Sequence, residues 1–135
     1  MFLALVAVLS FAAVGSQSAY DYFESGYSKL KKGDLDGAIA DYSKAIDLDP
    51  KDALAYSSRG GAKRDKGDLD GAIADFTEAI RADPMHAWSY YNRGEAYREK
   101  GDFDRAIADL TEVLRIDPNH KFARDQLQRA ERRER

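Results

Sequence analysis

Apolar positions along this chain follow two regimes. From Phe2 to Val14 they run on with only Ser10 between them, and no charged side chain occurs before Asp21. Further on they adopt helical spacing: Leu35, Ala38, Ile39, Tyr42, Ala45 and Ile46 stand at the i, i+3, i+4, i+7 places that share one helix face. That stretch is then repeated. Gly33 to Asp41 returns as Gly67 to Asp75 and, with two changes, as Gly101 to Asp109, at a period of 34 residues each time. Across residues 33–50, 67–84 and 101–118, 9 of 18 places are identical in all three copies, so one structural unit is present three times.

The chemistry at the ends of each copy sets a helix, here termed helix B. Asp34, Asp68 and Asp102 stand where an N-cap acceptor is needed, and Asp36, Asp70 and Asp104 suit the positive end of the helix dipole. Asp49-Pro50, Asp83-Pro84 and Asp117-Pro118 close it, because proline lacks the N–H and disfavours helical geometry before it. The pairs Asp36-Gly37 and Asp70-Gly71 resemble hairpin turns, but Arg105 replaces the glycine in the third copy with the helical pattern intact. The first half of each copy predicts a second helix, A, with Tyr22, Tyr56 and Tyr90 four residues before Gly26, Gly60 and Gly94. A mid-helix glycine costs about 1 kcal/mol against alanine. Its recurrence implies close approach of another helix, with Ala38, Ala72 and Ala106 as counterparts and the ring on the neighbouring turn as the large partner. Such helix pairs cannot bury their apolar faces alone and must stack.

These residues resemble the tetratricopeptide repeat (TPR) family. The resemblance rests on the helix-A glycine, on Ala38, Ala72 and Ala106, on the large group at Tyr42, Phe76 and Leu110, on Ala45, Ala79 and Val113, and on the terminal prolines. It implies an all-α, right-handed superhelical solenoid of three helix-turn-helix units at 19–52, 53–86 and 87–120, followed by a C-terminal capping helix at 121–135. In that helix Phe122, Ala123, Leu127 and Ala130 form the apolar side. The chain departs from the family pattern at Ser25, Arg59 and Arg93, where leucine is usual, and at Lys29 and Lys63, where tyrosine is usual and only Tyr97 conforms. Lys29 and Lys63 are expected to lay their stems on apolar surface with the amine in water.

The N-terminal run reads as a signal peptide or a retained membrane anchor over residues 1–18. Small residues follow it and no Lys or Arg precedes it. Its apolar stretch is shorter than the roughly 20 residues that span a bilayer comfortably, although Met1 to Ala19 as a helix would reach about 28 Å. Either of these readings makes the rest an exported protein, periplasmic or extracellular if cleaved and membrane-anchored if not, whereas a third, a buried or truncated cytosolic segment, does not. Membrane contact is then expected only through this segment.

Charge and composition narrow the function. Residues 21–120 carry 15 basic and 21 acidic groups, residues 121–135 carry 6 and 3, and the whole chain has net charge -3. That balance argues against a nucleic-acid footprint. Cysteine is absent, and His86 and His120 occupy equivalent inter-unit turns 34 residues apart, a place for starting helices rather than for ligating a metal. No phosphate loop or nucleophile elbow is present. No catalytic, cofactor or metal residue is therefore assigned. Asp41, Asp75 and Asp109 with Arg59 and Arg93 are expected to form an ion-pair ladder between units.

Binding remains. In the resembled family, ligands lie in the concave groove lined by the A helices. Carried onto this chain, that geometry assigns Tyr20, Phe23 and Tyr27 from the first unit, with Ser57, Ser58 and Arg64 from the second. Trp88, Tyr91, Asn92, Glu95 and Arg98 come from the third, with Trp88, Tyr91 and Asn92 as the principal anchor and Arg98 assisting. Some members hold acidic chaperone tails in a carboxylate clamp. Its places here are Phe23, Tyr27, Ser58, Trp88 and Asn92, or one repeat along Ser57, Gly61, Asn92, Phe122 and Gln126, and only Asn92 matches. The sequence thus points to a protein- or peptide-binding adaptor, with a self-associating, homo-oligomeric structural module as the alternative.

Overall fold

The computed structural model describes residues 16–135. Seven helices follow in order: α1 (Ala19–Lys31), α2 (Leu35–Leu48), α3 (Ala53–Asp65), α4 (Leu69–Ala82), α5 (Ala87–Lys100), α6 (Phe103–Ile116) and α7 (Ala123–Glu131). They pack as the hairpins α1–α2, α3–α4 and α5–α6, each laid against the next, and α7 covers the exposed side of α6. No strand occurs among the described residues. The architecture is an all-α solenoid of stacked helix pairs. The proposed signal or anchor lies outside the described residues except for the coil at 16–18.

The caps explain why the boundaries repeat. Asp34 and Asp68 each accept from the backbone N–H of the glycine three residues on, at 2.9 Å, whereas Asp102 accepts from Arg105 N–H at 3.3 Å. A β-carbon on Gly37 or Gly71 would stand 2.2 or 2.1 Å from the cap carboxylate. The Asp-Gly pairs are therefore tight N-caps, and the arginine of the third copy is accommodated by lengthening the cap bond. At the other end of the A helices, Gly33, Gly67 and Gly101 have φ of +80°, +88° and +80°. In each case the glycine N–H and the following aspartate N–H turn back to the last helical carbonyls, a closure that requires the left-handed conformation. Helix α1 opens on its own capping box, in which Ser18 and Asp21 satisfy one another's backbone N–H groups.

Inside each pair the glycine admits a large side chain from helix B. A β-carbon on Gly26 would lie 2.9 Å from the Tyr42 ring, one on Gly60 2.8 Å from the Phe76 ring, and one on Gly94 3.1 Å from Leu110 Cγ. The expected ring on the neighbouring turn is not that partner: Tyr22, Tyr56 and Tyr90 are only half-buried. The carbonyls of Ala38, Ala72 and Ala106 stand at 3.3, 3.2 and 3.4 Å from the same points, with Asp109 Cβ at 3.3 Å beside Gly94, and these alanines are fully buried.

The departures from the family pattern resolve into a buried polar row. Arg59 grips Asp75 with two hydrogen bonds of 2.8 and 2.7 Å, and Arg93 grips Asp109 identically. Both pairs lie within a unit, which corrects the expected ladder between units. The step to the preceding unit is made by the third guanidinium contact, Arg59 to Ser43 Oγ at 3.0 Å and Arg93 to Thr77 Oγ1 at 3.1 Å. In the first unit Ser25 hydrogen-bonds Asp41 at 2.6 Å and Lys29 completes the pair at 2.8 Å. Lys63 likewise reaches Asp75 at 3.1 Å. These two amines therefore meet carboxylates, where water was expected. Burial raises the Asp41 carboxyl, but the bonds from Lys29 and Ser25 outweigh it and hold its pKa below the ordinary aspartate value. Ion pairs that do bridge units, Lys66 to Asp36, Lys100 to Asp70 and Arg64 to Glu99, are more exposed.

Candidate functional site

Helices α1, α3 and α5 lie side by side along one face of the stack and enclose a groove of about 270 Å³. Its walls follow from residue size. Tyr27 and Leu30 of α1 stand on one side and Trp88 of α5 on the other, while α3 presents Ser57, Ser58 and Gly61 between them. Nothing lies within 4 Å of where a Gly61 β-carbon would be, so the missing side chains of α3 create the depth. Six of the sequence-assigned residues line it together: Tyr27, Ser57, Ser58, Arg64, Trp88 and Asn92.

The other five stand elsewhere. Tyr20 is exposed at the start of α1, and Phe23 packs its ring on Tyr42 with centroids 5.5 Å apart. Tyr91 is half-buried and stacks on both Trp88 and His120, 5.2 Å from each, with those two rings 6.0 Å apart. Burial, then Glu95, raises its phenol pKa, against Arg64 and Arg98. Glu95 and Arg98 share the predicted helical face but are only 5 and 6% exposed. They bond each other at 3.1 and 3.2 Å, and Arg98 also donates to the Glu134 carbonyl at 3.2 Å. The returning C-terminal segment therefore occupies Arg98, which corrects its assignment as a ligand-facing group.

The arginine of the groove is already paired, whereas Asp65 beside it has no ion-pair partner among the described residues. Arg64 bonds Glu99 through two nitrogens, at 2.9 and 2.7 Å, and reaches Asn92 Oδ1 at 3.5 Å. Asp65 lines the same wall. Asn92 spends one amide hydrogen on the Trp88 carbonyl at 2.9 Å and retains a second donor. At the floor, Tyr42 is fully buried and its hydroxyl has no hydrogen-bond partner. Ser58 bears on that phenol without completing a bond of acceptable geometry, and burial, then Tyr27, raises its pKa. Lys31 sits with its ammonium 4.6 Å from the Tyr27 ring centroid.

Sequence reasoning placed Tyr20 and Trp88 in the groove but missed that their register continues to Phe122. Tyr20, Leu54, Trp88 and Phe122 are spaced by the repeat and are 69, 50, 50 and 53% exposed. Phe122 thus departs from the apolar side assigned to the capping helix, where Ala123 and Ala130 are buried and Leu127 half-buried. The 34-residue spacing extended one step past the third proline would have found it. Neither histidine is placed for a metal. His86 caps α5 by position and bonds Ser89 Oγ at 2.5 Å, while His120 accepts from Ala123 N–H at 3.2 Å. Among the described residues no group of three His, Cys, Asp or Glu side chains could hold a metal ion. No described helix is long and apolar enough to cross a membrane.

Comparison with known proteins agrees with this geometry. A family described as tetratricopeptide repeat matches residues 62–121, and one described as TPR repeat matches residues 26–63. No curated protein matches significantly. Among solved structures, the first TPR of Spaghetti (RPAP3) bound to the HSP90 peptide SRMEEVD is 28% identical, with a TM-score of 0.84 over 88% of this chain and 94% of that one. The Arabidopsis OM64 TPR domain is 26% identical, with a TM-score of 0.81 over 84% of this chain and 94% of that one. The TPR2B domain of yeast Sti1, in its pHsp70 complex, is 26% identical, with a TM-score of 0.81 over 87% of this chain and 98% of that one.

Proposed function

The chain belongs to the tetratricopeptide repeat family, a protein-interaction fold, and we propose on that premise that its groove binds a peptide segment of a partner protein. The observation that carries this reading is the depression across α1, α3 and α5, with apolar walls from three units and a floor of small residues. Exposed rings beside a desolvated pocket are typical interface anchors. Similar structures carry HSP90 and pHsp70 partners, which supports a peptide ligand here.

The partner differs from an acidic chaperone tail. The clamp places hold Phe23, Tyr27, Ser58, Trp88 and Asn92, and Arg64 is already satisfied by Glu99. Such a tail would meet no free cation at those places. The uncharged apolar start supports export of the module, as an adaptor outside the cytoplasmic face, and mass analysis of the mature N-terminus tests that part.

The groove itself is tested by selecting peptides from a displayed random library on the full chain. Gly61→Arg should abolish their capture, because it fills space that the fold leaves open. Ala74→Arg, at an exposed position of α4, should leave capture intact. The reverse pattern would move the site off the groove. Self-association is the competing reading, favoured by the exposed register at Tyr20, Leu54, Trp88 and Phe122. A mass that rises with concentration and is restored to monomer by Trp88→Ala would support it instead.

A further inference from the structure

The groove carries one charge that the fold does not answer. Asp65 ends α3 on the groove wall, and the cations nearest to it in sequence are each bonded elsewhere: Lys63 to Asp75, Arg64 to Glu99 and Lys66 to Asp36. The repeat explains why. Arg64 and Glu99 join adjacent units, and the same step one unit earlier sets Leu30 against Asp65. A leucine therefore stands in the register where the cation would be.

This carboxylate is also at the unfavourable end of its helix. A helix C-terminus carries the negative end of the dipole and favours a cation. The same place in α1 holds Lys31, and in α5 it holds Glu99, which Arg64 offsets. Local rules broken without compensation inside the fold are expected at functional sites. Glu24 of α1 adds to the negative field: the Tyr42 phenol on the groove floor, whose pKa burial and then Tyr27 raise, is pushed further by Glu24, against Ser58. Lys31 rests over the Tyr27 ring, 4.6 Å from its centroid, and makes no ion pair with Asp65.

We propose that the groove takes one positively charged side chain, lysine or arginine, of a partner segment, with its cation paired to Asp65 and its stem laid along Leu30, Leu54 and Trp88. This rests on the groove being the peptide site. Long basic side chains bury an apolar stem and present a charged head, and about 270 Å³ with apolar walls has room for one. Trp88 stacks on Tyr91 and stays half-exposed on the groove wall, where an indole face also attracts a cation. Ser57 and Ser58 offer hydroxyl acceptors beside it, so the groove presents acceptors to a group that only donates.

The experiment is a double-mutant cycle on peptides from the displayed random library, read by fluorescence anisotropy against the full chain. Peptides lost on Gly61→Val, which fills the groove without adding charge, should carry lysine or arginine at one shared position. Replacing that residue by glutamine should weaken binding about 3- to 10-fold, between the worth of an exposed ion pair and that of a charge-assisted hydrogen bond. Asp65→Asn should weaken the basic peptide equally, and on that variant the glutamine peptide should lose nothing more. Asp65→Lys, which copies the residue of the first unit, should weaken it most. Thermal midpoints of both variants should match or exceed that of the parent chain, because each relieves the helix end. Groove-dependent peptides with no shared basic residue, or with acidic ends like SRMEEVD, would overturn the proposal and leave the groove standing. Additive losses in the cycle, or a midpoint that falls on Asp65→Asn, would overturn it too. Peptides indifferent to Gly61→Val would overturn both it and the groove.

Discussion

Gly60 and Gly61 are neighbours in α3 and should respond oppositely to the same substitution. Alanine relieves about 1 kcal/mol of helix propensity at either place, so the difference between them isolates contact. At Gly60 the new methyl would stand 2.8 Å from Phe76 Cε1 and 3.2 Å from the Ala72 carbonyl, where ordinary contact begins at 3.4 Å. Phe76 is fully buried, and a backbone carbonyl cannot turn away. Overpacking of this kind costs about 1–3 kcal/mol, which leaves Gly60→Ala destabilised by as much as about 2 kcal/mol after the propensity gain. At Gly61 nothing lies within 4 Å, so Gly61→Ala should gain up to about 1 kcal/mol. Urea unfolding followed by circular dichroism measures both, and at about 4 °C per kcal/mol the order is also visible in thermal midpoints. Equal midpoints for the two variants, at unchanged denaturant slope, would refute the close α3–α4 packing from which the rest of the stack is built.

Three further outcomes follow from the polar contacts. Arg98→Ala strands Glu95 in a buried site and should cost about 3–5 kcal/mol, while the more exposed Arg64→Ala should cost about 1 kcal/mol or less; unfolding midpoints compare them. Because Asp41 is held below the ordinary carboxylate pKa, its contribution is present above the unfolded-state value and lost as pH falls through the folded-state value. Stability measured against pH should therefore show a shallower acid limb in Asp41→Asn than in the parent chain. Ser18→Ala removes the α1 cap and should lower stability by about 0.5–2 kcal/mol by the same unfolding assay.

The repeat, its helices and the stacking were legible because they depend on residues that recur: cap aspartates, helix-breaking prolines and paired small groups impose the same local solution three times. What was not legible depends on distance along the chain. Glu95 and Arg98 read as a groove face from helical spacing alone, and only the return of the C-terminal segment to the Glu134 carbonyl shows that face covered. The arginine pairs were placed one unit out for a related reason, since spacing does not say which neighbour a 16-residue separation joins. The small middle of the groove was legible in Ser57 and Ser58, but its depth also needs the space beside Gly61 to stay empty, which spacing does not show. Gly61 resembles any tolerated helix glycine until its surroundings are seen to be empty.

Trp88 is the single tryptophan of the chain, and it stands half-exposed on the groove wall. Its emission therefore reports on the site without any label. Titration of the full chain with a library-selected peptide free of tryptophan should shift Trp88 emission to shorter wavelength and protect it from acrylamide, with the midpoint found by anisotropy. Saturable binding of such peptides that leaves both the wavelength and the quenching of Trp88 unchanged would contradict the claim that this groove is where the partner sits.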